Sequence, residues 1–366
     1  VEDTGSVYRV IIKNTCEWYK CGGGCTMCNY SHRSGISAEN VIRTYEDDIL
    51  NSISNIGKHY DKLKLYINGS FFNEHELSAE VATCFLKRIK NVFGIEQVCV
   101  ETRPEYINCE KMLHYISETQ LKFEVCFGIE STNDEIRNKC LHKNLNYLSF
   151  INVYHSICEL CDVKVYLLVK PPFISERESI EDVVNSVYDL LNEGITSISY
   201  TPIAIQKNTL LEFLLQENVY RPVWLWSLIE INSRLSSVHA QYPQIHLSGL
   251  DFYPEPLYLF YNCENCTKTL LNILKEKPNL TWADIPQELL CSCYDEWKAE
   301  IEKNSLYTID QGIEIAQNLL DKNIRRSVEI SKRINCKKTN FLLTDVAKTA
   351  PQYNIKLDYV GIECLK

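Results

Sequence analysis

The sequence predicts an α/β fold, a partial (βα)6 barrel with a cysteine-containing C-terminal extension, and three observations carry that prediction. Six short apolar runs alternate with stretches of helical periodicity, the pattern of parallel strands covered by helices. Polar residues gather just past the carboxyl ends of the runs, where such folds place their ligands. A glycine-rich cysteine motif, Cys21-Gly-Gly-Gly-Cys25-Thr-Met-Cys28, directly follows the first run. Six units rather than eight predict a barrel left open, and the motif after the first strand favours it over a doubly wound sheet.

Residues 7–15 read as the first strand from their β-branched content. After the cysteine loop, Ser37 is placed to cap a helix over 38–58, with Val41, Ile42, Tyr45, Ile49, Ile53 and Ile56 at helical spacing. The second strand, 63–67, ends in Asn68-Gly69-Ser70 and precedes a helix over 77–92. The third, 97–101, ends in Thr102-Arg103-Pro104-Glu105 before a helix near 109–118. The fourth, 123–129, runs into Glu130-Ser131-Thr132-Asn133-Asp134, where Ser131 or Thr132 can cap a helix with acidic residues in its first turn. The fifth, 163–169, ends in Lys170-Pro171-Pro172 before a helix around 180–191, and 197–201 is the sixth. Each strand-end group taken singly reads as a turn, an ion pair or a surface lysine. Four such groups on one rim predict a ligand site.

At 366 residues and 45% hydrophobic content the chain can bury a large core. It holds no run of eighteen apolar residues for a membrane span, and Val1-Glu2-Asp3 opens no signal-peptide apolar region. The seventeen cysteines are spread along the chain, and Cys84, Cys99, Cys126 and Cys158 fall in apolar segments and read as small buried hydrophobes. An odd count without a secretion signal predicts a reducing cytoplasm. A formal charge of −10 argues against a general affinity for nucleic-acid backbone while leaving room for a local basic patch.

Three thiolates at the spacing of Cys21, Cys25 and Cys28 can hold three irons of a [4Fe–4S] cluster and leave the fourth open. Electron carriers ligate every iron with cysteine, so an open iron is built to bind something else. A zinc half-site or thioredoxin-like pair from Cys25 and Cys28 would need neither the third cysteine nor the three glycines. The motif resembles that of the radical S-adenosylmethionine (radical-SAM) enzymes, in which SAM occupies the open iron and yields a 5′-deoxyadenosyl radical.

Further stretches narrow the resemblance. Cys21–Tyr30 (CGGGCTMCNY), Tyr66–Phe72 (YINGSFF), Val100–Tyr106 (VETRPEY), Gly128–Ile136 (GIESTNDEI), Tyr166–Ile180 (YLLVKPPFISERESI) and Tyr220–Trp226 (YRPVWLW) resemble the radical-SAM enzyme of archaeosine formation. That family is related to the radical-SAM domain of the Elongator catalytic subunit. The resemblance runs from about Cys16 to Trp297. It implies action on tRNA whose 7-cyano-7-deazaguanine has been condensed with lysine, and carbon–nitrogen cleavage that leaves the amidine of archaeosine. It also implies a reductant such as ferredoxin or flavodoxin and a partner protein that installs the lysine.

Carried over residue by residue, the resemblance makes Cys21, Cys25 and Cys28 the cluster ligands and gives Met27 and Tyr30 to the SAM site. Asn68-Gly69-Ser70 stands where radical-SAM proteins often have a Gly-Gly-Glu that receives the SAM amino group, so the acid is missing. Glu101 and Arg103 suit the amino and carboxylate groups of the SAM methionine, Glu130 and Ser131 the ribose, and Lys170 a carboxylate or substrate anion.

The C-terminal part adds Cys263, Cys266, Cys291 and Cys293, four thiolates suited to structural zinc or to an auxiliary Fe–S cluster. Cys336 and Cys364 have no partners at metal spacing. Trp224-Leu-Trp226 reads as helix packing, and Lys322, Arg325, Arg326, Lys332, Arg333, Lys337 and Lys338 form a basic stretch that is either a tRNA contact or a solvated helix face. The expected organisation is a core over 1–240, a cysteine-rich extension over 241–306 and a terminal segment over 307–366. Two other readings compete: the same radical chemistry on a small molecule, peptide or free deazapurine, and a non-catalytic Fe–S or zinc protein serving as scaffold or electron carrier.

Overall fold

A computed structural model of the chain describes residues 7–12, 16–29, 40, 42, 60–250, 256, 258–303, 305 and 307–333, with backbone only for Tyr8, Val10, Phe93 and residues 324–333. Seven parallel strands form one sheet in sequence order: β1 (Val7–Ile12), β2 (Lys62–Ile67), β3 (Gln97–Glu101), β4 (Lys122–Glu130), β5 (Asp162–Val169), β6 (Ile198–Pro202) and β7 (Ile245–Leu247). Among the described residues β1 and β7 are the edges, so the barrel is partial. The strands read from the sequence are all present, and β7 adds a seventh unit beyond residue 240.

Most crossovers are helical. They are α1 (Glu17–Gly22), α2 (Ala79–Phe93), α3 (Cys109–Thr119), α4 (Tyr147–Ile157), α5 (Glu176–Asn192), α6 (Leu210–Gln216), α7 (Leu225–Arg234) and α8 (Ser236–Gln241). Beyond the sheet follow α9 (Thr267–Glu276), α10 (Cys293–Glu302) and α11 (Ile309–Arg333). Side-chain caps fix several starts: Ser78, Asn108, Asn146 and Thr209 each accept a backbone N–H of the first turn, and Ser175 forms a capping box with Glu178. The helix predicted over 38–58 and its Ser37 cap lie outside the described residues apart from Asn40 and Ile42.

A short helical segment does follow β4 over 134–140, with Asp134 and Glu135 in its first turn and Ile136–Cys140 π-helical, but its expected cap is corrected: Asn133 Oδ1 accepts the Glu135 and Ile136 N–H groups, while Ser131 turns its hydroxyl into Asp182 at 2.6 Å. The longer helix α4 starts at the Asn146 cap. The cysteines also divide. Cys99 and Cys126 are buried, whereas Cys84 is exposed on the outer face of α2 and Cys158 is half-buried.

Register explains how the two faces differ. Leu63, Leu65, Val98, Val100, Phe123, Val125, Phe127, Val165, Leu167 and Ile198 are fully buried in one apolar core with Phe85, Leu86, Tyr115, Phe150, Val183 and Val187 of the helices. Because successive strand residues point oppositely, the intervening positions line the inside of the barrel. They are Lys62, Lys64, Gln97, Cys99, Glu101, Glu124, Cys126, Lys164 and Tyr166, aligned across neighbouring strands. A closed barrel usually fills its interior with branched apolar side chains. This interior is polar, as a ligand-holding interior requires.

Candidate functional site

The cysteine loop is held from three sides. It leaves α1 through Gly23 and Gly24, at φ 86° and 79°, a left-handed turn that side chains disfavour. From the β4–α4 connection, Leu141 and Cys140 carbonyls accept the Thr26 N–H at 3.1 Å and its hydroxyl at 2.9 Å. The Trp18 indole donates to the His142 carbonyl at 2.9 Å, and His142 Nδ1 lies 2.8 Å from the Gly24 carbonyl. From the β6–α6 side, the Leu210 N–H donates to the Thr26 carbonyl and Asn29 Nδ2 to the Lys207 carbonyl at 2.8 Å. Cys25 and Cys28 are half-buried and Cys21 is exposed.

An acid from farther along the chain fills the loop after β2. Glu76, 6% exposed, folds back over Asn68-Gly69-Ser70: its Oε2 accepts the Ser70 N–H at 2.8 Å. A Cβ on Gly69 would stand only 1.6 Å from that oxygen, so any side chain there would have to displace the carboxylate. Glu76 Oε1 accepts the Glu17 N–H at 2.7 Å and Asn73 Nδ2 at 3.1 Å, tying the loop after β2 to the first residue of α1. Glu17 is itself met by Asn73 Nδ2 at 2.5 Å and the Tyr106 hydroxyl at 3.2 Å.

Charges converge on Cys25. Burial pushes its thiol up, while Lys143 and Arg103 oppose that and Glu130 adds to it. Lys143 Nζ donates to Glu130 Oε1 at 2.5 Å, and both sit over Gly128, where a Cβ would come 2.6 Å from the carboxylate. A register shift between Gly128 and Glu130 re-aims the acid, which holds φ 69° at the end of β4. Arg103 donates to the Lys143 and Asn144 carbonyls at 2.9 and 3.1 Å, pairs with Glu105, and lies over the Trp18 ring. Burial, then the charge of Glu130, pushes the Glu101 carboxyl up to about 7. Three thiols in a glycine loop faced by two cations are a donor set that fits a [4Fe–4S] cluster with three thiolates, whose excess negative charge Arg103 and Lys143 offset.

The remaining candidates take separate positions. Ser70 is buried and its hydroxyl accepts the Arg103 N–H at 3.1 Å, and Asn68 N–H donates to the Ile12 carbonyl. Ser131 is buried against Asp182. Lys170 holds φ 68° past β5 and sends Nζ to the Ile174 carbonyl at 2.6 Å and toward Glu176 at 3.8 Å. It lines a cavity of about 480 Å³ with Phe173, Glu176, Tyr220, Arg221 and Tyr307. Met27 shares an apolar cluster with Leu168, Phe173, Ala316, Leu319 and Leu320, which brings α11 to the same end of the barrel. Tyr30 lies outside the described residues. Sequence reasoning passed over Glu76, Lys143 and His142. The only signal for Glu76 was an acid just before a helix, and the other two sit in a connection without pattern.

A second thiol group gathers in the extension. Sulfur separations are 3.6 Å for Cys263–Cys266, 3.5 Å for Cys263–Cys291 and for Cys266–Cys293, and 3.0 Å for Cys291–Cys293. Zinc–sulfur bonds of about 2.3 Å in a tetrahedron place sulfurs about 3.8 Å apart. A four-iron cluster carries each thiolate on a different iron and spreads them well beyond contact, so the spacing fits a single tetrahedral ion. Burial opposes ionisation of Cys263, yet the Cys266 N–H and the Cys291 thiol bring it down to about 7. The Trp226 indole donates to Cys293 Sγ at 3.3 Å and stacks with Trp282, while Tyr294 and Trp297 complete an aromatic wall. The tryptophan pair after residue 223 is thus packing, as its apolar spacing predicted.

A parallel βα sheet, open at its edges, polar within and carrying a CxxxCxxC loop after its first strand defines a radical-SAM enzyme. No protein-family model matches the chain. It is 32% identical over 304 residues to archaeosine synthase subunit beta of Methanosarcina acetivorans, covering 80% of this chain and 84% of that one. It is 29% identical over 221 residues to archaeosine synthase subunit beta of Thermococcus kodakarensis, covering 59% and 67%. Among solved structures, Elp3 of Methanocaldococcus infernus superposes with a TM-score of 0.52 at 14% identity, over 74% of this chain and 63% of that one, which is a likeness of fold. The chain belongs to the archaeosine synthase subunit beta family.

Proposed function

We propose that the chain converts lysine-modified 7-deazaguanine in tRNA to archaeosine by cleaving a carbon–nitrogen bond, with Cys21, Cys25 and Cys28 holding a [4Fe–4S] cluster that binds SAM. The observation that carries this reading is the extent of the match to archaeosine synthase subunit beta, 304 residues that span most of both chains. When bound, cluster and SAM together supply a 5′-deoxyadenosyl radical.

The protein's own part is binding and exclusion. Glu76 and Ser70 hold the loop after β2 against α1, Glu101 and Glu130 present carboxylates to the SAM amino group and ribose, and Arg103 and Lys143 offset negative charge beside Cys25. Met27, Tyr30, Asn68, Gly69, Ser131 and Lys170 complete the assigned surroundings of SAM. Cys263, Cys266, Cys291 and Cys293 hold zinc as a structural ion. The basic C-terminal half of α11, with Lys322, Arg325, Arg326, Lys332 and Arg333, contacts tRNA phosphates. Its other half packs beside Met27 through Ala316, Leu319 and Leu320. A partner subunit installs the lysine, a ferredoxin or flavodoxin supplies the electron, and the setting is the cytoplasm.

The test is direct conversion. Anaerobically reconstituted protein is incubated with SAM, reductant and tRNA bearing the lysine adduct, and the nucleosides are weighed by mass spectrometry. Archaeosine formed only with SAM is expected; unchanged adduct beside cleaved SAM would assign the radical to another substrate.

A further inference from the structure

The inside of the barrel holds a thiol pair that the proposed reaction does not use. Cys99 on β3 and Cys126 on β4 are buried with their sulfurs 3.3 Å apart. Both point inward, because Cys99 is paired in register with Glu124 and Cys126 with Glu101. Glu124 is the third member: one ligand atom from each of Cys99, Glu124 and Cys126 lies within 4.8 Å of the others. The Glu124 carboxylate pairs with Lys62 of β2.

We propose that Cys99, Cys126 and Glu124 form a binding site for a thiophilic divalent cation, zinc first, inside the barrel. Two thiolates and a carboxylate are a three-ligand set that leaves a tetrahedral ion one open position. Sulfur ligands select zinc or iron over magnesium or calcium. Charge also balances: two thiolates and one carboxylate carry three negative charges, which the ion and the Lys62 ammonium cancel. The three ligands, the ion and Lys62 taken together therefore carry no net charge, which favours holding the ion away from water.

The geometry needs little change. A tetrahedral ion with bonds of about 2.3 Å holds two sulfurs about 3.8 Å apart, so the pair at 3.3 Å opens by roughly half an ångström. Entry is available at the amino ends of the strands, where Lys62 and Glu124 keep 20% and 14% of their side chains exposed. Glu101, Lys164 and Tyr166 lie on the same inner face nearer the opposite rim or beside the pair. The open position is completed by water or by a donor atom of a bound molecule.

Cobalt(II) is the probe, because thiolate ligation gives it intense charge-transfer bands. Full-length protein with Cys21, Cys25 and Cys28 changed to Ala is stripped of metal, kept reduced and titrated anaerobically. Two cobalt ions per chain with thiolate bands are expected, one for this site and one for the four C-terminal cysteines. Cys99→Ser with Cys126→Ser should remove one and leave the other. Glu124→Gln, which keeps the volume and leaves both thiols in place, should weaken one of the two by about tenfold or more. A single cobalt ion before these substitutions, or an unchanged count and affinity after them, would overturn the assignment. Neither result bears on archaeosine formation, which is read separately.

Discussion

The Glu76 carboxylate accepts the Glu17 N–H at 2.7 Å, and through its other oxygen the Ser70 N–H at 2.8 Å, so one buried acid holds the cysteine-bearing helix against the loop after β2. Hydrogen bonds to a charged group contribute about 1.5–3 kcal/mol each, and leaving a buried donor unsatisfied adds to the loss. In urea unfolding, Glu76→Ala is therefore expected to lower stability by about 3 kcal/mol and Glu76→Gln by a comparable amount, because the amide NH2 would face the Ser70 or Glu17 N–H. Negligible losses would show that the bond network contributes little.

Gly69→Ala tests the same contact from the other side. The added Cβ would come 1.6 Å from Glu76 Oε2, and the backbone on either side is held by β2 and Ser70. The methyl group must displace the carboxylate, so destabilisation comparable to Glu76→Ala is expected in the same unfolding experiment. When combined with Glu76→Ala, which vacates the space, Gly69→Ala should cost much less, a non-additivity that a double-mutant cycle reads directly.

Asp182 carries a pH dependence of definite sign. Burial, opposed by the Ser131 hydroxyl and Arg137, pushes its carboxyl up to about 7 from an ordinary 3.8. Between those values the native chain holds a proton that the unfolded chain has lost, so the stability linked to this group is present at low pH and falls as pH rises toward 7. Asp182→Asn keeps an acceptor for Ser131 and removes the titration. From pH 5 to pH 8 the variant should gain on the native chain by up to about 3 kcal/mol in urea unfolding. A difference independent of pH would contradict the account.

Cys263→Ser should cost stability more than chemistry, because the four C-terminal thiols lie against the aromatic wall of Trp226, Trp282 and Tyr294 rather than beside Cys25. Loss of the bound metal and a melting temperature lowered by about 5 °C or more are expected, with SAM cleavage at the permissive temperature largely kept. A stable variant with unchanged metal content would remove these thiols from the site.

Neutralising Lys322, Arg325 and Arg326 should reduce the salt dependence of tRNA binding. Each lost phosphate contact lowers the slope of log affinity against log salt by about 0.7–0.9, so a fall of about two is expected for three residues. An unchanged slope would move the nucleic-acid surface elsewhere.

The strands were legible because their core-facing positions carry branched or aromatic apolar residues at every second place, as Leu63 and Leu65 of β2 and Phe123, Val125 and Phe127 of β4 do. The three residues of β7, with His246 in the middle, are too short to give a pattern. After β4 the sequence offered two hydroxyl caps, but burial of Asp182 gave Ser131 a different partner, and propensity yielded to tertiary contact. Cys21, Cys25 and Cys28, the residues proposed to hold the cluster, stood out by spacing alone, because they sit within eight residues of one another. Glu76 could not be assigned to the loop it fills, nor Lys143 to Cys25, because those relationships exist only once α1, β2 and the β4–α4 connection are folded together. Cys84 shares its helix with buried Ala82 and Phe85 yet faces outward, a distinction of helical phase that apolar neighbours concealed.

The most direct measurement is the formation of 5′-deoxyadenosine by anaerobically reconstituted protein given SAM and a low-potential reductant. The account predicts 5′-deoxyadenosine from the native sequence and none from a Cys25→Ala variant that retains the native circular dichroism spectrum. No 5′-deoxyadenosine from the reconstituted native chain, or equal amounts from the variant, would contradict it.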